Sequence, residues 1–141
     1  MTAPGIPLPR PTEISGPFWT GCANGELLVQ RCRSCGKFVH IPEPCCTRCT
    51  SFDLEWIRSP GRGTVYSYSV VWRPQQPAFE VPYVAAIVEL EEGWKMLTNI
   101  VDCSPAELRI GLPVEVTFRR MSDEITLPYF EPRATAPLED A

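Results

Sequence analysis

The sequence predicts a mainly β protein, with a short N-terminal helix followed by two small β modules. Three observations carry that prediction. The 141 residues include 16 prolines and 9 glycines, and an interior proline costs a helix roughly 3 kcal/mol. Apolar and polar residues alternate with a period of two through much of the second half. Five of the seven cysteines fall within 18 residues, in the paired spacing of a metal ribbon.

Composition narrows the function classes. Apolar residues make up 44% of the chain, enough for a real core. The formal charge is −4, and no basic cluster is longer than Arg119-Arg120. Nucleic-acid binders carry a basic face, so this acidic balance argues against nonspecific nucleic-acid binding. No apolar run is long enough to span a membrane. The segment Met1-Thr2-Ala3-Pro4-Gly5 lacks the basic and apolar regions of a secretory leader. The expected location is the cytoplasm, where clustered cysteines more often bind metal than pair as disulfides.

Residues 1–25 read as an extended, proline-rich arm and the short helix. Ser15 can cap that helix, Pro17 sits near its first position, and Asn24-Gly25 can end it. Phe18, Trp19 and Cys22 then share a face, which must be buried for so short a helix to hold. Residues 26–59 read as the ribbon. Its strands run from Glu26 to Arg31, from Lys37 to Ile41 and from Phe52 to Trp56, with Pro42-Glu43-Pro44 ending the second.

Pro60-Gly61-Arg62-Gly63 marks the boundary to residues 60–132. Strand Thr64 to Arg73 puts Val65 and Val71 on one face, and Tyr66, Tyr68, Val70 and Trp72 on the other. A long loop, Pro74 to Pro82, carries Phe79 and leads to strand Tyr83 to Glu89. After a turn at Glu91-Glu92-Gly93 comes strand Trp94 to Val101. Ser104-Pro105-Ala106-Glu107 has the form of a helix start, with the helix ended by Gly111. Val114, Val116 and Phe118 alternate along a fourth strand, and Ile125 to Phe130 makes a fifth. Residues 133–141 read as a flexible tail. Three strands, a helix and two strands is the order of an OB-fold, a small Greek-key barrel. A split meander or a sandwich shares the pattern.

The metal reading rests on Cys32-Arg33-Ser34-Cys35 and Cys46-Thr47-Arg48-Cys49. Each C-x-x-C forms a tight knuckle that aims both sulfurs at one point, and Gly36 suits a positive φ just beyond the first pair. Two knuckles supply four thiolates to a tetrahedral zinc ion. Such a set leaves no position for water or substrate, so the zinc is structural. The competing account is buried or paired cysteines without metal. Cys45 is an alternative to Cys46, although Cys45 to Cys49 would be the poorer C-x-x-x-C knuckle. Cys22 and Cys103 fall outside the spacing and read as core or free thiols. So small a ribbon has almost no core, and structural zinc supplies roughly 10–16 kcal/mol in finger peptides.

No catalytic set emerges. His40 is the one histidine and reads as a surface or packing residue, whereas a triad needs a nucleophile, a base and an orienting group. Cys103 lacks a histidine placed to activate it, and Asp123-Glu124 reads as a solvated turn. Pro60-Gly61-Arg62-Gly63 precedes a strand, so it fails the dinucleotide fingerprint. Tyr66, Tyr68, Trp72, Phe79 and Tyr83 either fill the barrel or form a partner surface. The second reading follows from the use OB-folds make of the loop and adjoining strands.

Several motifs in order resemble a known family. They are Phe18-Trp19, Gly25-Glu26-Leu27, Cys32-x-x-Cys35-Gly36, Pro42 with Pro44, Cys46-x-x-Cys49, and Gly63-Thr64-Val65-Tyr66-Ser67-Tyr68. Pro82-Tyr83-Val84, Val88-Glu89-Leu90, Leu97-Thr98-Asn99-Ile100-Val101-Asp102 and Ile110-Gly111-Leu112-Pro113-Val114-Glu115-Val116 complete the pattern. Together they resemble the OB-fold/zinc-ribbon acyl-CoA-associated family over residues 10–132. The resemblance implies an N-terminal helix, a rubredoxin-like zinc ribbon and a C-terminal OB-fold, with the four zinc ligands as the only residues carried over.

It also implies a non-catalytic accessory subunit in a hetero-oligomer with a thiolase-superfamily enzyme: a thiolase, a hydroxymethylglutaryl-CoA synthase or a lipid-transfer-protein-like aldolase. Such subunits help complete an acyl-CoA site, and the closest likeness is to steroid side-chain degradation. Two rival readings are a nucleic-acid-binding zinc-ribbon/OB-fold protein, drawing on Arg31, Arg33, Lys37, Arg48, Arg58 and Arg62, and an enzyme in its own right.

Overall fold

The computed structural model describes residues 5–134. Residues 1–4 and 135–141, the start of the expected arm and most of the expected tail, lie outside the described residues. The arm ends in a reciprocal turn. The Thr12 N–H donates to Ser15 Oγ at 2.9 Å, and the Ser15 N–H donates to Thr12 Oγ1 at 3.1 Å. Ser15 therefore bonds backward along the chain and does not cap helix α1 (Gly16–Ala23) as expected. The far end of α1 closes as read. The N–H of Glu26 reaches Gly21 O at 2.8 Å and that of Gly25 reaches Cys22 O at 3.0 Å, with Gly25 at φ 74°. This is the paired-bond helix stop that favours glycine.

The ribbon is a small antiparallel sheet of β1 (Leu28–Cys32), β2 (Phe38–Val39) and β3 (Leu54–Arg58), in the order β2-β1-β3. The third strand starts later than expected, and Phe52 is left exposed before it. The sequence underestimated how much of the ribbon is held by packing. Leu27 and Val29 are buried in one continuous core with Phe18 and Cys22 of α1 and with the barrel interior. Only the far end, around Cys32, Val39 and Cys46, forms a separate small cluster.

The remaining strands are β4 (Arg62–Val71), β5 (Tyr83–Leu90), β6 (Lys95–Ile100), β7 (Pro113–Arg120) and β8 (Thr126–Pro132). They close into a five-stranded barrel in the order β4-β5-β6-β8-β7, which is the OB-fold. Gly63 is required where β4 crosses β5, because a Cβ there would run into the Glu89 carbonyl. The expected second helix shrinks to one 3-10 turn, Pro105–Glu107. Leu108 then returns to extended backbone, at φ −72° and ψ 140°, and buries its side chain.

A β-bulge redraws the faces of β4. Val65 pairs with Val88, but the next pair is Ser67 with Ile87, so Tyr66 is the extra residue. Beyond it Tyr68 and Val70 pair with the buried Ala86 and Val84, and Val71 pairs with Tyr83 on the opposite face. Val65 and Val71 therefore lie on different faces, which strict alternation did not allow for. The barrel is filled by Val65, Val84, Val88, Ile100, Val114 and Phe130 rather than by the aromatics of β4.

Closure is thinnest between β6 and β8. One parallel pair, Ile100 with Phe130, joins them, together with Val101 N–H to Phe130 O at 2.8 Å. The buried Thr98 hydroxyl adds a bond to Pro128 O at 3.0 Å. No helix among the described residues is long and apolar enough to cross a membrane.

Candidate metal centre and adjoining groove

The two C-x-x-C segments fold alike. In the first, Cys32 N–H donates to Lys37 O and Gly36 N–H to Cys32 O, both at 2.8 Å. In the second, Cys46 N–H donates to Ser51 O at 2.8 Å and Thr50 N–H to Cys46 O at 3.0 Å. Gly36 and Thr50 occupy the equivalent corner, with φ of 80° and 63°. Glycine suits that corner, whereas a β-branched threonine is strained there.

These turns bring the ligand atoms of Cys32, Cys35, Cys46 and Cys49 within 4.8 Å of one another. The Cys32–Cys49 and Cys35–Cys46 sulfur pairs are each 3.6 Å apart. A zinc tetrahedron with bonds of about 2.3 Å needs a similar spacing. Cys45 is not part of this group.

Backbone donors favour thiolates at two positions. Cys46 Sγ accepts from the N–H of Arg48 at 3.3 Å and of Cys49 at 3.5 Å, and its pKa is lowered by those bonds. The Lys37 N–H, then the Arg48 side chain, draw Cys35 down to about 6. Cys49 goes the other way, to about 11. The Ser51 N–H opposes that rise, while burial and the neighbouring Cys32, Cys35 and Cys46 sulfurs drive it. The donor set thus fits a dication, which is what lets four crowded sulfurs ionise together.

A groove of about 1000 Å³ opens beside the barrel, large enough for a small-molecule site. Its walls come from α1, the segment after β2, the loop before β5, and strands β6 and β8. Phe18 and Trp19 meet edge to face at 4.9 Å, and Phe79 stacks on Tyr83 at 5.7 Å. Arg119 lies over the Tyr129 ring at 5.7 Å, with Asp102 3.5 Å away. His40 packs between Phe18 and Trp94, at centroid distances of 5.6 Å and 5.1 Å. Burial pushes its pKa down to about 4, so the ring is neutral at physiological pH.

Of the aromatics singled out in the sequence, Phe79 and Tyr83 line this groove. Tyr66, Tyr68 and Trp72 are exposed, with Trp72 at 66%. Trp19, His40, Arg119 and Tyr129 also line it, and no spacing signal joins residues so far apart in sequence. Cys103 reaches the groove too, but its thiol donates to Ser104 O at 3.5 Å and its pKa is raised by burial and by Glu107. Asp123 pairs with Arg120 at 3.1 Å. Among the described residues no hydrogen bond joins a nucleophile to His40.

A four-cysteine ribbon on a five-stranded barrel defines a zinc-ribbon/OB-fold protein with a structural zinc. Two family profiles match in tandem: the ChsH2 rubredoxin-like zinc ribbon domain over residues 19–55 and the ChsH2 C-terminal OB-fold domain over residues 56–119. A DUF35 domain-containing scaffold protein of Methanocaldococcus jannaschii is 44% identical over 103 residues, which is 70% of this chain and 71% of that one. The chain belongs to this DUF35 family of OB-fold/zinc-ribbon proteins.

A probable enoyl-CoA hydratase alpha subunit of Thermomonospora curvata is 44% identical over 126 residues, covering 88% of this chain. The match spans only 40% of that longer relative. The BbsA subunit of benzoylsuccinyl-CoA thiolase from Geobacter metallireducens is 34% identical over 74 residues, 52% of this chain and 49% of that one. Among solved structures, a chain of the Ltp2-ChsH2(DUF35) aldolase superposes with a TM-score of 0.81 at 40% identity, over 89% of this chain and 98% of that one.

Proposed function

We propose that this chain is a non-catalytic accessory subunit that binds and supports a thiolase-superfamily enzyme acting on acyl-CoA. In this reading Cys32, Cys35, Cys46 and Cys49 hold the zinc, the zinc fixes the ribbon, and the ribbon sets one wall of the groove. The groove contributes to the acyl-CoA site completed by the partner. The carrying observation is an aromatic-walled groove of about 1000 Å³ in which, among the described residues, no hydrogen bond joins a nucleophile to His40. It suits holding an apolar group better than transforming one.

The names of relatives support the same reading. They include scaffold proteins, a CoA-thiolase subunit and one chain of an aldolase complex. Steroid side-chain acyl-CoA is the substrate class we favour, supported by a 41% identical relative named for a pregnadiene-carboxyl-CoA hydratase. The nucleic-acid reading gains no support from charge, because the chain carries a formal −4 and nucleic-acid binders present a basic face.

Co-expression with thiolase-superfamily enzymes of the same genome, starting with gene neighbours, tests the proposal. A stable co-eluting complex whose acyl-CoA turnover depends on this chain is expected. Enzymes that never co-elute and are indifferent to its addition would overturn it.

A further inference from the structure

We propose that Arg48, with Lys37 as its counterpart, is a positioning residue of the zinc site that offsets the charge of the four thiolates and clasps the two knuckles together. The inference rests on the four-cysteine zinc reading and is independent of the accessory role. One Zn²⁺ and four thiolates leave a net charge of about −2, which needs nearby donors or cations to be stable in a protein.

The geometry places both kinds of group. Arg48 belongs to the second knuckle, yet its guanidinium crosses to the first and donates to Cys35 O at 3.1 Å. Its own N–H meanwhile donates to Cys46 Sγ at 3.3 Å. Lys37 follows the first knuckle and crosses the other way, donating to Thr47 Oγ1 at 2.8 Å. Each knuckle thus sends one cation to the other. The hydroxyls of Ser34 and Ser51 form a third link at 3.0 Å.

Carboxylates take up two of the ribbon's other cations, while Arg31 lies over the Phe38 ring at 5.9 Å from its centroid. Arg33 is taken up by Asp53 at 3.0 Å and Glu55 at 3.4 Å, and Arg58 approaches Glu26 at 4.0 Å. Among the described residues, Arg48 and Lys37 have no carboxylate within ion-pair distance. The Arg48 guanidinium, held at Cys35 O, is left facing the sulfur cluster.

Zinc transfer from the full chain to excess 4-(2-pyridylazo)resorcinol tests this, after metal analysis of the wild type. A wild type without zinc overturns the four-cysteine reading itself. With zinc present, Arg48→Met is expected to release it about 10-fold faster, and K37M/R48M faster still. Arg48→Lys should recover part of the loss. In Co²⁺-substituted protein, Arg48→Met should shift the sulfur-to-cobalt charge-transfer bands, a signature that general loosening of the ribbon would not give. A wild-type release rate with an unchanged cobalt spectrum overturns the proposal. If Arg48→Met does not fold, Arg48→Gln decides: fast release upholds the charge role and wild-type release overturns it.

Discussion

The imidazole of His40 lies 5.1 Å from the indole of Trp94, joining the end of the ribbon hairpin to the turn between two barrel strands. Phe18 of the helix closes the other side of the ring at 5.6 Å. One side chain thus touches all three parts of the molecule, in a place too apolar for a charged imidazole.

That packing predicts a pH dependence. The folded pKa of His40 is near 4, against an ordinary value of 6.5. Below the ordinary value the unfolded chain takes up a proton that the folded chain refuses, so stability falls as pH drops through this window and is fully present above it. Between pH 7 and pH 5 the wild type should lose about 2 kcal/mol more than His40→Gln. Urea midpoints at the two pH values check this, and equal losses would count against a half-buried neutral ring.

Thr98→Val should cost about 1–2 kcal/mol, because it strands the buried Pro128 carbonyl without its 3.0 Å partner. Thr98→Ser keeps the hydroxyl and should stay close to wild type. Equilibrium denaturation of the three proteins makes the comparison.

Thr50→Gly should stabilise the ribbon. Thr50 holds φ 63° where the matching corner of the first knuckle has Gly36, and strain of this kind is worth about 1 kcal/mol or more. A higher thermal midpoint of the zinc-loaded protein is expected; a lower one would mean that the threonine side chain outweighs the strain.

The metal prediction separates two adjacent residues. Cys46→Ser should lose the zinc and Cys45→Ser should retain it, since Cys46 and not Cys45 joins the sulfur group. Elemental analysis of both purified variants settles the ligand set. Retention in Cys46→Ser would move the third sulfur to Cys45.

The legible parts of this chain were those set by local chemistry. Paired cysteines at fixed spacing announce a knuckle, and Asn24-Gly25 announces the helix stop that the backbone bonds complete. Apolar patterning between turn residues located all five barrel strands. What alternation misses is a residue that drops out of register: Tyr66 bulges, and every face assignment after it inverts. The groove was illegible for a different reason. Trp19, His40, Arg119 and Tyr129 meet only once the barrel closes, and nothing local marks them as neighbours. The second helix starts at Ser104-Pro105 as read, though without a capping bond from the Ser104 side chain, and stops at Leu108, which turns extended and is buried.

The seam between β6 and β8 is where the closed barrel has the fewest strand pairs. A full ladder would have to be unzipped along its length to admit a wider guest. Here the two strands meet at a single pair, Ile100 with Phe130. Parting them would cost the Val101 N–H bond to Phe130 O and the Thr98 hydroxyl bond to Pro128 O. Three of the other contacts are long antiparallel ladders and β4 with β7 adds three pairs, so the backbone bonding is uneven around the barrel.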